Sequence, residues 1–384
     1  MRILLICQQA LRPHAVPAYS FWEHYLKEGL TEGGHSWIEV PQVDWAEGLT
    51  HMAKDQRLHW LDTTWSAAIS FLKSEQAKAP VDFVLCYLFP FQIEISAVET
   101  MRSTGVPVVN FFCDNVREFE RVPQEFLHFD LHWVPEYEAL PIYQAAGCRH
   151  IHAPMPVWIP PTQRTDPEQE VAEVTFIGSH DVLREALFSR AARPGLPLRV
   201  RGQGWTSSYS DSSSRPWLGG NKLANQLRFV RNYGLRGLAV KLTYKLRRQS
   251  SRDYLSDALR PAVSVDDYFR ISRESAVTLG VNRYPSFRHS FQYPHAYSRL
   301  RDIEAPMLGA CYLTESAPGL DRLYELGKEI EIYRTADELA AKAKELLADP
   351  IRRLGLRKNG QRRALSDHTI DRSIGKIAKI LDLV

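Results

Sequence analysis

Apolar residues in this chain gather into short unbroken runs, and the stretches between the runs repeat them at helical spacing. Arg2–Ile6 is the first run, closed by Cys7-Gln8-Gln9. Helix formers then fill Ala18 to Thr31, Gly33-Gly34-His35 stops them, and Ser36–Val40 reads as a second strand. The alternation continues with a strand at Asp82–Tyr87, a helix over Gln92–Thr104 and a strand at Val106–Phe112. Past Asp114 it loosens. A strand at Leu131–Val134, a helix over Glu138–Ala146, a stop at Gly147 and a short run Ile151–Ala153 follow. Continuous apolar strands joined by amphipathic helices predict parallel pairing in a doubly wound α/β sheet.

A proline-rich, charged stretch from Pro154 to Glu170 interrupts this pattern, which then restarts. Val174–Ile177 is a strand running into Gly178-Ser179, Val182–Ala192 a helix, and Leu196–Val200 a strand leading to Gly202-Gln-Gly-Trp205. Later come a strand at Val277–Val281, a helix over Leu300–Leu308, a strand at Ala310–Thr314 and a helix from Ala336 to Leu347. The expected organisation is an N-terminal Rossmann-like domain at 1–157, a linker at 158–170, and a C-terminal Rossmann-like domain at 171–370. A basic insertion occupies 206–258 of the latter, and a terminal helix at 371–384 crosses back to the first domain. Two such domains face each other across a cleft, and folds of this kind bind ligands at the carboxyl ends of their strands.

Composition narrows the function classes. The 384 residues exceed what one hydrophobic core usually serves. With 44% hydrophobic and 24% charged residues, the chain is ordinary for a soluble globular protein. No apolar run approaches the roughly 20 residues of a membrane-spanning helix, and MRILLIC is too short for a signal peptide and reads as a strand. Five scattered cysteines (Cys7, Cys86, Cys113, Cys148 and Cys311) form no C-x-x-C pair, which excludes a disulfide scaffold or zinc ribbon and favours a reducing cytosol. The net charge of +3 predicts no nucleic-acid partner.

Two segments carry candidate chemistry. Gly178-Ser179-His180-Asp181 opens a helix directly after a strand, where small residues admit a ligand to the backbone and free amides at the helix start attract phosphate; a plain tight turn fits equally. Arg184, in that helix's first turn, is placed to join an anion or to sit as a solvated charge. There is no G-x-x-x-x-G-K-[ST]. In Arg299 to Glu315, Glu304 lies on a helix ended by Gly309, where a carboxylate can accept both hydroxyls of a ribose. Arg301 is one turn before it, and the alternative is a surface i, i+3 pair worth about 0.2–0.5 kcal/mol.

Here a resemblance becomes specific. Arg301-x-x-Glu304-Ala-Pro-Met-Leu-Gly309-Ala-Cys-Tyr-Leu-Thr-Glu315 is followed by Pro318-Gly319-Leu320, Glu325-Leu-Gly327-Lys-Glu329-Ile, Tyr333, Asp337-Glu338-Leu339 and Asp367-His368-Thr369 with Arg372. Together these resemble the carboxy-terminal domain of CgeB-type (spore-maturation-like) glycosyltransferases, relatives of retaining glycosyltransferase family 4. Val174 to Ser179 with Arg184, and Gly202-Gln-Gly204-Trp205, are similar to that family's first two nucleotide-domain strands. The amino-terminal half is similar only in outline.

The resemblance implies a GT-B fold and a metal-independent, retaining glycosyl transfer from a nucleotide-diphosphate-sugar donor, in synthesis of cell-surface or secreted glycans. The acceptor would be a glycan, a lipid-linked species or a protein. Glu304 would grip the donor ribose, and Gly178, Ser179 and Arg184 would lie by the diphosphate, with Arg283 and Arg301 also at the donor. No cofactor or metal is expected, since positive side chains stabilise the departing diphosphate. One departure stands out: the position eight before Glu304, where family 4 enzymes typically carry another glutamate, is Ala296. Catalytic candidates are Asp114, equally readable as a turn cap, and His289 and His295 in the loop with Arg283, Tyr284, Arg288 and Tyr293. Gln8 and Gln9 are weaker acceptor-side candidates, and His368 reads as structural.

Between Asp211 and Asp253 there is no acidic residue, while basic and apolar residues interleave through 215–252. That composition fits an interfacial helix on an anionic membrane, at about 1 kcal/mol per basic residue. It fits equally a helical insertion whose basic side lines the donor cleft. Expected localisation is cytoplasmic, with possible peripheral attachment to the inner membrane face. The rival classes are a non-catalytic GT-B relative that binds a nucleotide sugar or scaffolds a glycosylation complex, and a two-domain binding protein of the exported type, disfavoured by the missing export signal.

Overall fold

The computed structural model describes residues 1–14, 18–167, 169–193, 195–205, 237–240, 242–243, 255–286 and 293–383. The chain divides into two compact units, Met1–Trp158 with Asp367–Val384, and Ile159–Ser366. In the first, the elements are β1 (Arg2–Ile6), α1 (Ala18–Glu32), β2 (Ser36–Glu39), α2 (Lys54–Lys78), β3 (Phe83–Cys86), α3 (Ile95–Ser103), β4 (Val108–Phe111), α4 (Asn115–Glu118), β5 (Leu131–Val134), α5 (Leu140–Ala145) and β6 (His150–His152). The second holds β7 (Val171–Ile177), α6 (Val182–Ala192), β8 (Leu198–Arg201), α7 (Val265–Glu274), β9 (Ser275–Gly280), α8 (Arg301–Met307), β10 (Tyr312–Glu315), α9 (Leu320–Leu323), β11 (Glu331–Tyr333), α10 (Ala336–Ala348) and α11 (Pro350–Asp367). The last helix, α12 (Ile370–Ile380), belongs to the first unit.

Among the described residues the strands make two all-parallel sheets, a six-stranded one in the order β2-β1-β3-β4-β5-β6 and a five-stranded one in the order β11-β10-β9-β7-β8. Counted within its unit, each sheet runs 2-1-3-4-5, with the first sheet adding a sixth strand. This is a doubly wound α/β architecture, and it puts a switch point between β1 and β3 in one unit and between β7 and β9 in the other. Helices cover the apolar faces. In the second unit Val174, Phe176, Val277, Leu279 and Leu313 form a buried core with Leu187 and Phe188 of α6 and Leu339 and Ala343 of α10. Local capping sets the helix starts: Asp181 caps α6, Ser264 caps α7, Thr335 caps α10 and Thr369 caps α12.

Some elements depart from the sequence expectation. The long α2 was not expected: its buried stripe, Trp60, Thr64, Trp65, Ala68, Leu72 and Glu75, mixes polar with apolar groups and blurs the helical period. The helix expected from Gln92 starts at Ile95, because Pro90–Gln92 is a separate tight turn with Gln92 buried. The second unit begins at Ile159, inside the expected linker, with Ile159 buried and Glu170 paired with Arg353 and Arg357. Four cysteines are buried free thiols, and Cys148 is half-buried. Of the insertion 206–258, only 237–240, 242–243 and 255–258 are among the described residues, so its basic run through 215–252 lies largely outside them. At its C-terminal foot, Leu255 and Ala258 join the second unit's core. No helix among the described residues is long and apolar enough to cross a membrane.

One buried polar residue marks the first unit's core. His132 on β5 is 1% exposed, with Nδ1 3.4 Å from Asn110 Nδ2 and its ring 4.9 Å from Tyr143. Burial above all, with His150 second, lowers its pKa from 6.5 to about 3. Since the unfolded chain takes up this proton at higher pH than the native one, stability is present above the unfolded pKa and declines as pH falls toward the native value. The denaturant midpoint should therefore fall between pH 7 and 4.5. His132→Phe, which keeps a ring beside Phe126, Phe129 and Tyr143, should flatten that decline; an unchanged slope would place the titration elsewhere.

Candidate functional site

The switch point of the second unit gathers most of the expected residues. β7 exits through Gly178-Ser179-His180-Asp181 into α6, and this turn is bound to the exit of β8. The Gly178 and His180 amides donate to the Arg201 and Gln203 carbonyls at 2.8 and 2.9 Å, and Trp205 Nε1 donates to the Gly178 carbonyl at 2.7 Å. Gly202, at φ +134°, brings its backbone against Gly178, where a Cβ would lie 2.2 Å from the Gly178 carbonyl oxygen. The Asp181 carboxylate accepts from the Leu183 and Arg184 amides, each at 2.9 Å. The amides expected to await a phosphate at this helix start are thus largely bonded within the protein, because Asp181 caps the helix itself.

The positive charge here comes from side chains. Arg184 donates to the Ser179 carbonyl at 2.7 Å and to Ser179 Oγ at 3.2 Å, and its guanidinium lies 5.4 Å from the Phe176 ring centroid. Its Nε is 3.1 Å from Asp181 Oδ2 but out of hydrogen-bonding alignment. Arg301 donates to the Ile177 carbonyl, and its guanidinium lies 5.7 Å from Phe176 and 5.2 Å from the Tyr268 ring. It is no surface i, i+3 pair: α8 turns it into the unit, against the end of β7. Arg299, which the sequence did not single out, places its guanidinium 4.8 Å from the Tyr297 ring. The Nε atoms of Arg184, Arg299 and Arg301 are all buried without a hydrogen-bond partner among the described residues. Burial first, then repulsion from Arg299 and Arg301, lowers Arg184 to about 10 against the pull of Asp181.

Glu304 is 2% exposed and accepts a hydrogen bond from the Tyr268 hydroxyl of α7. The helix that carries Arg301 and Glu304 is held by Asp302, itself fully buried. Asp302 Oδ1 accepts from Tyr312 Oη at 2.8 Å, Thr314 Oγ1 at 2.9 Å and Asn282 Nδ2 at 3.4 Å, while Oδ2 accepts from the Arg299 amide at 2.9 Å. Burial raises its pKa despite these donors. Gly280, at the end of β9, admits this network, since a Cβ there would lie 2.1 Å from Tyr312 Oη and 2.2 Å from Thr314 Oγ1.

Arg283 sits beside this network with its charge already matched. Its Nε donates to Glu315 Oε1 at 2.6 Å, its amide to Oε2 at 3.0 Å, and the Asn282 amide also reaches Oε2, at 3.2 Å. Burial opposes its charge, but the Glu315 carboxylate outweighs that and raises its pKa. Ala296 pairs with Arg283 in an antiparallel bridge, and His295 Nδ1 is 3.3 Å from Tyr284 Oη. His289 lies outside the described residues.

Asp114 belongs to the first unit, at the exit of β4, in a left-handed conformation (φ 65°, ψ 22°) that Asp tolerates better than most residues. It makes no side-chain capping bond there and lies 3.9 Å from Arg117. Next to it is a buried network the sequence did not reveal. Glu136 accepts from the Asn115 amide at 2.9 Å and from Asn115 Nδ2 at 2.6 Å, and Tyr143 Oη donates to Asn115 Oδ1 at 2.7 Å. Burial, assisted by Asp114, raises Glu136 to about 8. At the β1/β3 switch point, Gln8 and Gln92 exchange side-chain amide bonds at 2.6 and 3.1 Å, and Gln9 Oε1 accepts from the Cys7 amide at 2.8 Å.

The sequence matches a family described as glycosyl transferase-like over residues 182–379, just over half of the chain. The chain belongs to this family. Among solved structures, it is similar to sucrose-phosphate synthase from Thermosynechococcus elongatus, with 14% identity, a TM-score of 0.57 and coverage of 100% of this chain and 99% of that one. A glycosyltransferase from Rickettsia africae gives 9% identity and 0.58 over 100% and 98% of the two chains, and Anabaena Alr3699/HepE in complex with UDP gives 12% and 0.60 over 100% of both. Such identities speak to fold alone. Curated proteins give no match. The protein is a glycosyltransferase of GT-B fold, with two Rossmann-like units.

Two variants test these networks. Asp302→Ala removes the acceptor for three buried donors and should lower stability by about 2–4 kcal/mol in denaturant unfolding; a loss under about 0.5 kcal/mol would show that α8 is held by other contacts. Glu136, with its folded pKa above the unfolded value of 4.5, contributes stability that is fully present below that value and is lost as pH rises through about 8. Glu136→Gln should remove this alkaline decline between pH 6 and 9, and a variant as alkali-sensitive as the parent would refute the assignment.

Proposed function

We propose that this glycosyltransferase takes its sugar from a nucleoside-diphosphate sugar and passes it to an acceptor hydroxyl, with retention of configuration and without a bound metal ion. The diphosphate rests against Arg184, Arg299 and Arg301, beside Gly178 and Ser179, and Glu304 holds the ribose. The observation that carries this reading is the gathering of Arg184, Arg299 and Arg301 at the β7/β9 switch point, where burial and then repulsion from the other two lower Arg184, and the three buried Nε atoms have no hydrogen-bond partner among the described residues. Holding like charges together in a partly dry site is unfavourable unless an anion joins them, and a departing diphosphate is such an anion. Guanidinium groups then serve the leaving group in place of a metal ion.

Arg283 braces the strand ends through Glu315 rather than meeting the donor directly. Retention, and the closer kinship with CgeB-type and family 4 enzymes, rest on the ordered motifs from Arg301 to Arg372. UDP is the first nucleotide to test, because Alr3699/HepE of the same fold is seen with UDP and with UDP-glucose. On the acceptor side Asp114, backed by Glu136 and Asn115, is the group placed to orient a glycan, lipid-linked or protein hydroxyl. We read the setting as cytoplasmic synthesis of surface or secreted glycans, with the basic run through 215–252 as a contact for an anionic membrane.

Isothermal titration with UDP and uridine, then GDP and guanosine, tests the donor assignment. Arg184→Ala and Arg299→Ala should weaken the diphosphate about tenfold or more and leave the nucleoside nearly unchanged, whereas Glu304→Ala should weaken both. Equal losses across both ligands in the arginine variants would mean that these side chains support the fold and do not meet the diphosphate.

A further inference from the structure

Glu304 does not stand alone on α8. The Tyr268 hydroxyl, 36 positions earlier in the chain, donates to Glu304 Oε2, and the Tyr268 ring also packs against the guanidinium of Arg301. Tyr268 sits in the first turn of α7, which Ser264 caps by accepting from the Asp267 amide at 3.2 Å, and its own amide donates to the Ser264 carbonyl at 2.9 Å. Its ring also packs 5.6 Å from Phe269, whose side chain is buried, so the tyrosine is held from three sides while remaining only partly buried. A glutamate has three side-chain torsions between its backbone and its acceptor oxygens, the last of which sets the carboxylate plane. A fixed phenol donor that binds one oxygen removes most of that freedom and leaves the carboxylate plane set.

From this geometry we infer that Tyr268 is a positioning residue which presents Glu304 to a vicinal diol, and that this chain thereby distinguishes ribonucleoside from 2′-deoxyribonucleoside diphosphates. The inference deepens the donor assignment above and rests on it. Each carboxylate oxygen offers two acceptor directions. The phenol takes one direction at Oε2, and two adjacent hydroxyls on neighbouring ring carbons match the spacing of a carboxylate held in one plane. A ligand lacking the 2′-hydroxyl loses half of that match, and it loses it only if the carboxylate is prevented from turning to suit the remaining hydroxyl. The Tyr268 ring adds a further constraint, because its stack on Arg301 couples the ribose-facing carboxylate to the guanidinium assigned to the diphosphate.

The test uses the full chain, titrated with UDP and dUDP and with GDP and dGDP, in the parent, Tyr268→Phe, Glu304→Gln and the double variant. The parent should prefer the ribo form of the bound nucleotide by about tenfold or more. Tyr268→Phe keeps the ring and its stack on Arg301, so the unit stays folded, and this is verified by thermal melting. It should weaken the ribo form several-fold, leave the deoxy form nearly unchanged and so shrink the preference. In the Glu304→Gln background the same change should have no further effect, because the two residues act as one unit. Equal weakening of ribo and deoxy forms by Tyr268→Phe, or an effect that persists undiminished in the Glu304→Gln background, overturns the inference while leaving the donor site intact. A parent that binds nucleoside diphosphates without ribose preference overturns the role of Glu304 and Tyr268 but not that of the arginines. A parent that binds none of the four overturns the donor assignment and this inference with it.

Discussion

The second unit's site depends on one buried carboxylate. Asp302 has no exposed surface, yet it collects the hydroxyls of Tyr312 and Thr314, the side-chain amide of Asn282 and the backbone amide of Arg299. These donors come from the residues just after β9, from β10 and from two residues ahead of α8, so the bonds lock the helix to the sheet edge at a single register. A charge desolvated to this degree is tolerable only when its acceptor directions are filled. Arg301 and Glu304 lie one residue before and two residues after Asp302, and their directions follow from it. Arg301 turns toward the end of β7 and Glu304 toward α7. Gly280 belongs to the same arrangement, because only a residue without a side chain leaves room for the two hydroxyls that converge on Asp302.

With α8 fixed, the electrostatics of the neighbouring arginines separate into two kinds. Arg283 is buried but meets Glu315 through side chain and backbone alike, and its pKa rises. Arg184 is also enclosed, yet its pKa falls, because burial, joined by repulsion from Arg299 and Arg301, outweighs the pull of the Asp181 carboxylate. Burial opposes the charge of both, and what differs is whether the partners overcome it. A matched pair stabilises strand ends and has little charge left for a ligand. Arg301 belongs with Arg283, since Tyr268 and Glu304 raise its pKa against burial. An under-matched guanidinium such as that of Arg184 costs the folded state stability and gains from any anion that arrives, which is the usual trade between stability and a poised site.

The strands were legible because parallel sheets buried on both faces need unbroken apolar runs, and Arg2–Ile6, Asp82–Tyr87 and Val174–Ile177 have them. Gly178, Ser179, Arg184, Arg301 and Glu304 were legible as a group because strand–glycine–helix turns have a local signature and the segment around Glu304 is continuous in sequence. What escaped notice is tertiary. Tyr268 is 36 positions from Glu304, Glu136 is 21 from Asn115, and Asp302 reaches Tyr312 and Thr314 only through the fold. No spacing rule announces such pairs. The burial of Arg301 was hidden for the same reason, since an arginine one turn from a glutamate looks identical in sequence whether the helix face meets water or a strand end. The helix α2 was obscured by the polar members of its own buried stripe, Thr64 and Glu75.

The two units share one strand order and have opposite chemistry at the edge that this order creates. In the first, the switch-point loops are closed by neutral groups that satisfy one another: Gln8 with Gln92, Gln9 with the Cys7 amide, and Gln92 Nε2 with the Trp45 carbonyl at 2.8 Å. Its titratable feature lies further along the edge, at Glu136, which stays protonated at neutral pH because burial outweighs its amide donors. In the second unit the corresponding edge keeps Arg184, whose pKa is lowered by burial and by the neighbouring Arg299 and Arg301. Sheet topology therefore supplies the location and leaves the chemistry to a few side chains. The edge that carries Arg184 is also the one whose helix α8 is tied to the sheet by the buried Asp302, so the strand ends keep their geometry beside that charge.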